Sequence, residues 1–226
     1  MMNTQTMKTA TEYIKESWKI YTKKENFVFF ARIMAVLTIV TLLISYVTGY
    51  FFPEDYLKSG DFTNIPRLIS YISISILAII LSLWSQTTQY FAIFKMRESE
   101  KEVLRLGFKK MLRFLIINFT LGVIVVFGAI LLIIPAIIFG VRYSFAILLV
   151  LDKDMSIGQA LKASYDMVWG KFWKVLGRSV VFGLATFIVS VLLSVIPYFG
   201  SVAVTFIAPL FLLPYYLMYK DLLPND

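Results

Sequence analysis

The chain has 226 residues, of which 59% are hydrophobic and only 16% are charged, and its mean hydropathy is +0.77. A soluble domain has about 45–50% apolar and about 25% charged residues, so this composition excludes an ordinary soluble globule and also a disordered chain. The absence of His and Cys excludes imidazole and thiol catalysis, disulfides and the commonest transition-metal ligands, and the formal net charge of +8 fits either anionic lipid or nucleic acid.

The first half of the chain predicts two membrane spans behind a polar leader. Residues 1–26 are polar with a helical pattern, which predicts a cytoplasmic amphipathic segment before a membrane domain over 27–222. A helix needs about 20 mostly apolar residues to cross a bilayer. The uncharged runs 33–53 and 68–94 each satisfy this length and predict one span each.

The second half contains two apolar runs, 114–151 and 179–219, that are each about twice the crossing length. Each has a proline near its middle, Pro135 and Pro197, and proline interrupts a helix because it lacks a backbone donor. We therefore expect two hairpins, with a re-entrant segment around Pro135 as the alternative. The predicted fold is an all-α bundle of six spans in three hairpins, near 33–53, 68–94, 114–134, 136–151, 179–196 and 200–219, followed by a short tail at 223–226.

Basic residues predict the orientation of the bundle. Eighteen of the 22 Lys and Arg residues fall in the N-terminal segment, the second and fourth loops and the end of the last span, and only Lys58 and Arg67 fall on the other side. Short loops rich in Lys and Arg stay in the cytoplasm. We expect a plasma-membrane protein with both termini in the cytoplasm, and this distribution explains the net charge without nucleic acid.

Amphipathic stretches precede each hairpin and suggest an internal repeat. Residues 156–168 have one apolar face, with Ser156 as a predicted N-cap and Gly170 as a predicted stop. Similar but less regular stretches lie at 12–21 and 100–112. We predict three units, 9–94, 97–151 and 156–222, each an interfacial helix followed by a hairpin.

Aromatic and basic residues alternate around the third amphipathic stretch. This arrangement is typical of an interfacial belt that contacts anionic headgroups, and a protein-docking surface is the alternative. The candidate lipid-interface residues are Lys162, Trp169, Lys171, Phe172, Trp173 and Lys174. The expected partners are membrane lipids, with anionic headgroups on the cytoplasmic face, together with a protein partner or a second copy of the chain.

Polar residues within the predicted spans are few. Counting along the helix places Arg142 about 15 Å from the cytoplasmic end of its span, near mid-depth. It is a candidate for an anion or headgroup site, and the alternatives are hydrogen bonds to carbonyls near Pro135 or to Asn118, or a side chain that reaches outward to the interface. Gln86, Gln89 and Asn118 are candidates for hydrogen bonds between helices.

No set of residues predicts catalysis, a metal site or a cofactor. The spans contain no Asp or Glu, which argues against a proton- or sodium-coupled pump. We expect a non-catalytic scaffold or lipid-interacting module. The alternative is a transporter or channel for a small or lipidic solute with Arg142 on its path, and an intramembrane enzyme is a third candidate.

One stretch resembles a known family. The residues are IPAIIFGVRYSFAILLVL at 134–151, then Asp152, and then an amphipathic helix that ends near Trp169, Gly170 and Trp173. They resemble the membrane domain found in glycerophosphoryl diester phosphodiesterases and in related six-helix bacterial membrane proteins. In that family the hydrolase chemistry belongs to a separate soluble barrel, for which this chain has no room. The resemblance therefore implies a membrane module without the enzymatic activity.

Overall fold

The computed structural model describes residues 7–51, 64–196 and 199–223, and within these ranges it is almost entirely helical, with no strand. The helices are α1 Ala10–Thr22, α2 Lys24–Phe51, α3 Ile65–Phe94, α4 Glu100–Leu131, α5 Ile133–Arg142, α6 Ala146–Asp152, α7 Ile157–Val168, α8 Phe172–Ser194 and α9 Phe199–Leu222. The all-α prediction is confirmed. Pro197, Lys58 and most of the predicted tail lie outside the described residues.

Six segments of the described chain are long and apolar enough to cross a membrane. They are Lys24–Phe51, Ile65–Phe94, Glu100–Ile130, Ile133–Asp152, Phe172–Ser194 and Val202–Leu222. The fourth segment combines α5 and α6, which are separated by a turn at residues 143–145. By the length and composition of these segments, the chain is a multi-pass membrane protein.

The turn between the third and fourth spans lies at Leu132, three residues before the expected position at Pro135. Leu132 has an extended backbone, with φ 179° and ψ 157°, and it ends α4 and begins α5. Pro135 is the third residue of α5, where the missing backbone donor costs nothing because first-turn N–H groups have no partner within the helix. The two helices can pack closely here because Gly128 has no side chain, and a Cβ at that position would lie 2.9 Å from the backbone of Ala136.

Two of the three predicted amphipathic stretches are separate helices. Capping boxes start both of them, formed by Thr9 with Glu12 before α1 and by Ser156 with Gln159 before α7. The predicted N-cap at Ser156 is confirmed, and α7 ends just before Gly170, whose φ of +73° suits glycine. The stretch 100–112 is instead continuous with the span that follows it in α4, because no glycine or proline interrupts residues 108–131 before Gly122.

The protein core lies toward the ends of the helices that carry the basic residues. The buried residues of α2 lie between Phe29 and Thr38, those of α3 lie between Thr87 and Ile93, and the last buried residue of α8 is Phe182. The opposite halves of these helices expose Ile, Leu, Val and Phe side chains. In a membrane protein such surfaces face lipid.

Helix α1 packs along α9 and closes one side of this core. The Tyr13 hydroxyl donates to Asp221 at 2.8 Å, and the Tyr21 hydroxyl donates to the carbonyl oxygen of Phe206 at 3.0 Å. The Nε of Arg178 in α8 donates to the carbonyl oxygen of Lys8 at 2.6 Å. The amphipathic N-terminal segment is therefore attached to two spans by side-chain hydrogen bonds.

Candidate functional site

The turn between α5 and α6 interrupts the fourth span and frees backbone groups that a regular helix would pair. Helix α7 supplies the partner. The hydroxyl of Ser164 donates to the carbonyl oxygen of Arg142 at 2.8 Å and accepts a hydrogen bond from the backbone N–H of Phe145 at 3.2 Å. Ser164 is completely buried. A single side chain therefore connects the two halves of the broken span and fixes α7 against them.

The guanidinium of Arg142 lies over two aromatic rings of α7 and its C-terminal end. Its Cζ is 4.2 Å from the ring centroid of Tyr165 and 4.8 Å from that of Trp169. A cation over an aromatic face gains about 0.5–2 kcal/mol, more when water is excluded. The Nη1 of Arg142 is buried and has no hydrogen-bond partner among the residues that the structure describes. The site therefore holds a guanidinium in place while leaving one donor unused.

The surroundings of Arg142 favour a position near the headgroups over the mid-depth position expected from counting along its helix. Trp169 is 63% exposed and lies two residues before Lys171. Trp173 is 79% exposed, and Lys174 is exposed beside it at the start of α8. Tryptophan and lysine concentrate at the membrane–water boundary. The structure thus brings Arg142 against one of the predicted interface residues, which sequence reasoning had treated as a separate set.

The other polar candidates within the spans bond locally. The side-chain amide of Asn118 donates to the carbonyl oxygen of Phe114 in its own helix at 2.8 Å, and that of Gln86 donates to the hydroxyl of Ser82 at 3.3 Å. Gln89 is partly buried. None of the three contacts Arg142, and the bonds of Asn118 and Gln86 do not join two helices. Two of the remaining interface candidates differ in burial, since Lys162 is exposed and Phe172 is partly buried.

Asp154 forms a second charged cluster at the end of the α4–α6 hairpin. Its carboxylate accepts from Lys110 and, at 2.7 Å, from Nη1 of Arg113. The hydrogen bond from Lys110 and the nearby positive charges hold the pKa of Asp154 below its usual value. Its φ is +55°, a left-handed conformation that Asp tolerates better than most residues. This cluster fixes the loop before α7.

Sequence reasoning missed Ser164 and Tyr165 as part of the site. Both were recognised only as members of an amphipathic face. Nothing in a single sequence indicates that this face packs on a turn some 20 residues earlier, because neither the turn at 143–145 nor its freed backbone groups leave a glycine or proline signal. The adjacent aromatic pair Tyr165 and Trp169, one helical turn apart, was the available hint.

The site contains no group suited to metal binding. Within the described ranges, no three Asp or Glu residues lie close enough together to hold a metal ion. No family model matches the chain, and searches of curated proteins and of solved structures give no match either. The resemblance to the membrane domain of glycerophosphoryl diester phosphodiesterases therefore remains a prediction.

Proposed function

We propose that this chain is a non-catalytic membrane module that binds the phosphate of anionic phospholipids at its cytoplasmic face. The observation that supports this function is the buried, unpartnered Nη1 of Arg142, on a guanidinium stacked against Tyr165 and Trp169. A buried donor without a partner is costly, and a phosphate oxygen would remove that cost. Arginine is suited to this ligand because its planar fork matches phosphate geometry.

The charge around Arg142 is consistent with an anionic ligand. No described carboxylate forms an ion pair with it, and Lys171 and Lys174 follow Trp169 closely in the sequence. Each basic residue near an anionic bilayer contributes about 1 kcal/mol of attraction. A headgroup bound at Arg142 would therefore meet further positive charge at the start of α8. The family resemblance, which implies a membrane module alone, agrees with this function.

Native mass spectrometry of the protein with mixed phosphatidylglycerol and phosphatidylcholine tests the proposal. We expect the wild type to retain phosphatidylglycerol preferentially. Arg142→Gln should weaken that retention about tenfold or more, because charge-assisted hydrogen bonds contribute about 1.5–3 kcal/mol. Arg142→Lys keeps the charge without the fork and should lie between the two.

The matched control is Arg32→Gln. Arg32 also lies near a membrane boundary, but its side chain is 69% exposed and bonded to Glu100 at 3.1 Å, so its loss should leave retention unchanged. Equal retention of phosphatidylglycerol by wild type and folded Arg142→Gln would contradict the proposal. Retention of a small anion in place of lipid would favour the transporter alternative.

We further propose a plasma-membrane location with both termini in the cytoplasm, supported by the distribution of basic residues. The natural chain has no cysteine, so single cysteines report topology without background. Asn64→Cys should react with an impermeant maleimide in intact cells, whereas Glu98→Cys should react only after permeabilisation. The reverse pattern would overturn the orientation, and labelling of both from outside would overturn the span between them.

A further inference from the structure

A cavity of about 210 Å³ lies between α3, α6 and α9. Its walls include Tyr90 and Phe94 of α3, Leu148 of α6, and Leu212 and Tyr216 of α9. Well-packed protein interiors contain few voids larger than a water molecule, and an apolar cavity of about 150 Å³ is large enough to hold benzene. This space therefore has room for a ligand, and its largely apolar walls select a ligand with apolar groups.

Contacts among the wall residues keep the cavity open. The rings of Phe94 and Tyr216 lie 5.4 Å apart, and those of Tyr90 and Phe94 lie 6.3 Å apart. The Tyr215 hydroxyl is fixed by donating to the carbonyl oxygen of Ser179 at 3.1 Å. The hydroxyls of Tyr90 and Tyr216 form no hydrogen bond with any described residue. The cavity thus combines rigid aromatic faces with two hydroxyl donors that are free for a ligand.

The position of the cavity along the spans indicates what surrounds it. Phe94 directly precedes Lys95, Leu148 lies four residues before Asp152, and Tyr216 lies four residues before Lys220. Four residues of helix correspond to about 6 Å. The cavity therefore lies just inside the charged boundary, at the depth where the ester groups and first methylenes of phospholipids are found.

We propose that this cavity binds the ester-proximal part of one phospholipid acyl chain. The aromatic and aliphatic walls contact the methylenes, and the hydroxyls of Tyr90 and Tyr216 donate to the ester carbonyl. This site is separate from Arg142, which does not line the cavity and whose guanidinium packs on α7. The proposal therefore does not depend on the headgroup site, and it extends lipid binding to zwitterionic lipids.

Photocrosslinking in nanodiscs tests it. The probe is phosphatidylcholine that carries a diazirine near the ester, and adducts are mapped by peptide mass spectrometry. We expect adducts on Tyr90 and Tyr216 in addition to the lipid-facing surface of α4. Leu212→Trp fills the cavity and should abolish the cavity adducts while the α4 adducts persist. The control is Leu112→Trp, at a position that is 63% exposed, which should keep both.

Two further arms make the result decisive. Leu212→Ala enlarges the cavity and should increase the ratio of cavity to surface adducts, which covers the case in which the tryptophan variant does not fold. A diazirine-labelled free fatty acid that labels the cavity when phosphatidylcholine does not would assign the chain to a fatty acid. Cavity adducts should persist in Arg142→Gln, because the two sites are independent. Wild-type adducts confined to the lipid-facing surface would overturn the proposal.

Discussion

The hydroxyl of Ser164 makes both hydrogen bonds that α7 contributes to the broken fourth span, so Ser164→Ala tests how the site is held together. The substitution leaves the carbonyl of Arg142 and the N–H of Phe145 without this partner. A buried polar group that loses its partner costs about 1–3 kcal/mol. We therefore expect a loss of about 2–4 kcal/mol in the free energy of unfolding, or about 5–15 °C in Tm.

Ser17→Ala is the matched control. Ser17 is equally buried on the other amphipathic helix, but its hydroxyl donates at 2.7 Å to the carbonyl of Tyr13, within the same helix. That carbonyl keeps its helical partner, so the substitution should cost about 1 kcal/mol or less. The assay is thermal unfolding in one detergent. Equal losses for the two variants, or an unchanged Tm for Ser164→Ala, would refute the reasoning.

Two more predictions concern packing and charge. Gly107→Ala should destabilise the protein, because a Cβ there would lie 2.0 Å from Oγ1 and 2.9 Å from Cα of Thr88, whereas Gly122→Ala in the same helix meets nothing within 4 Å and should be neutral or slightly stabilising; comparable Tm values would contradict this. Asp154→Asn should cost about 1 kcal/mol or less at neutral pH, since the pair is exposed. The pKa of Asp154 is lowered, so wild type has this contribution above about pH 4 and loses it as the pH falls through the lowered pKa, and a wild-type advantage that persisted in acid unfolding curves would count against the ion pairs.

The spans could be predicted from the sequence because bilayer thickness imposes a length on apolar runs. The position of the turn could not be predicted in the same way. Pro135 was expected to break the helix, but the turn lies at Leu132, because proline is compatible with the first turn of a new helix. A proline thus locates a helix start to within one turn, whichever side of it the chain bends.

The site was predictable in its residue types and not in its contacts. Arg142 and Trp169 were each identified from the cost of charge in a membrane and from interfacial aromatic preference. Their contact depends on the turn at residues 143–145 and on the hydroxyl of Ser164. Such pairing is a property of tertiary packing, which helical periodicity does not encode. The continuity of α4 shows the same limit, because an amphipathic stretch and a span can share one helix.

The central claim is that Arg142 binds a lipid phosphate, and the most direct measurement is a structure determined in lipid that contains phosphatidylglycerol. The account predicts a phosphate oxygen within about 3 Å of Nη1 of Arg142, with the guanidinium still stacked on Tyr165 and Trp169. A guanidinium bonded instead to a protein carbonyl, with no headgroup nearby, would contradict it.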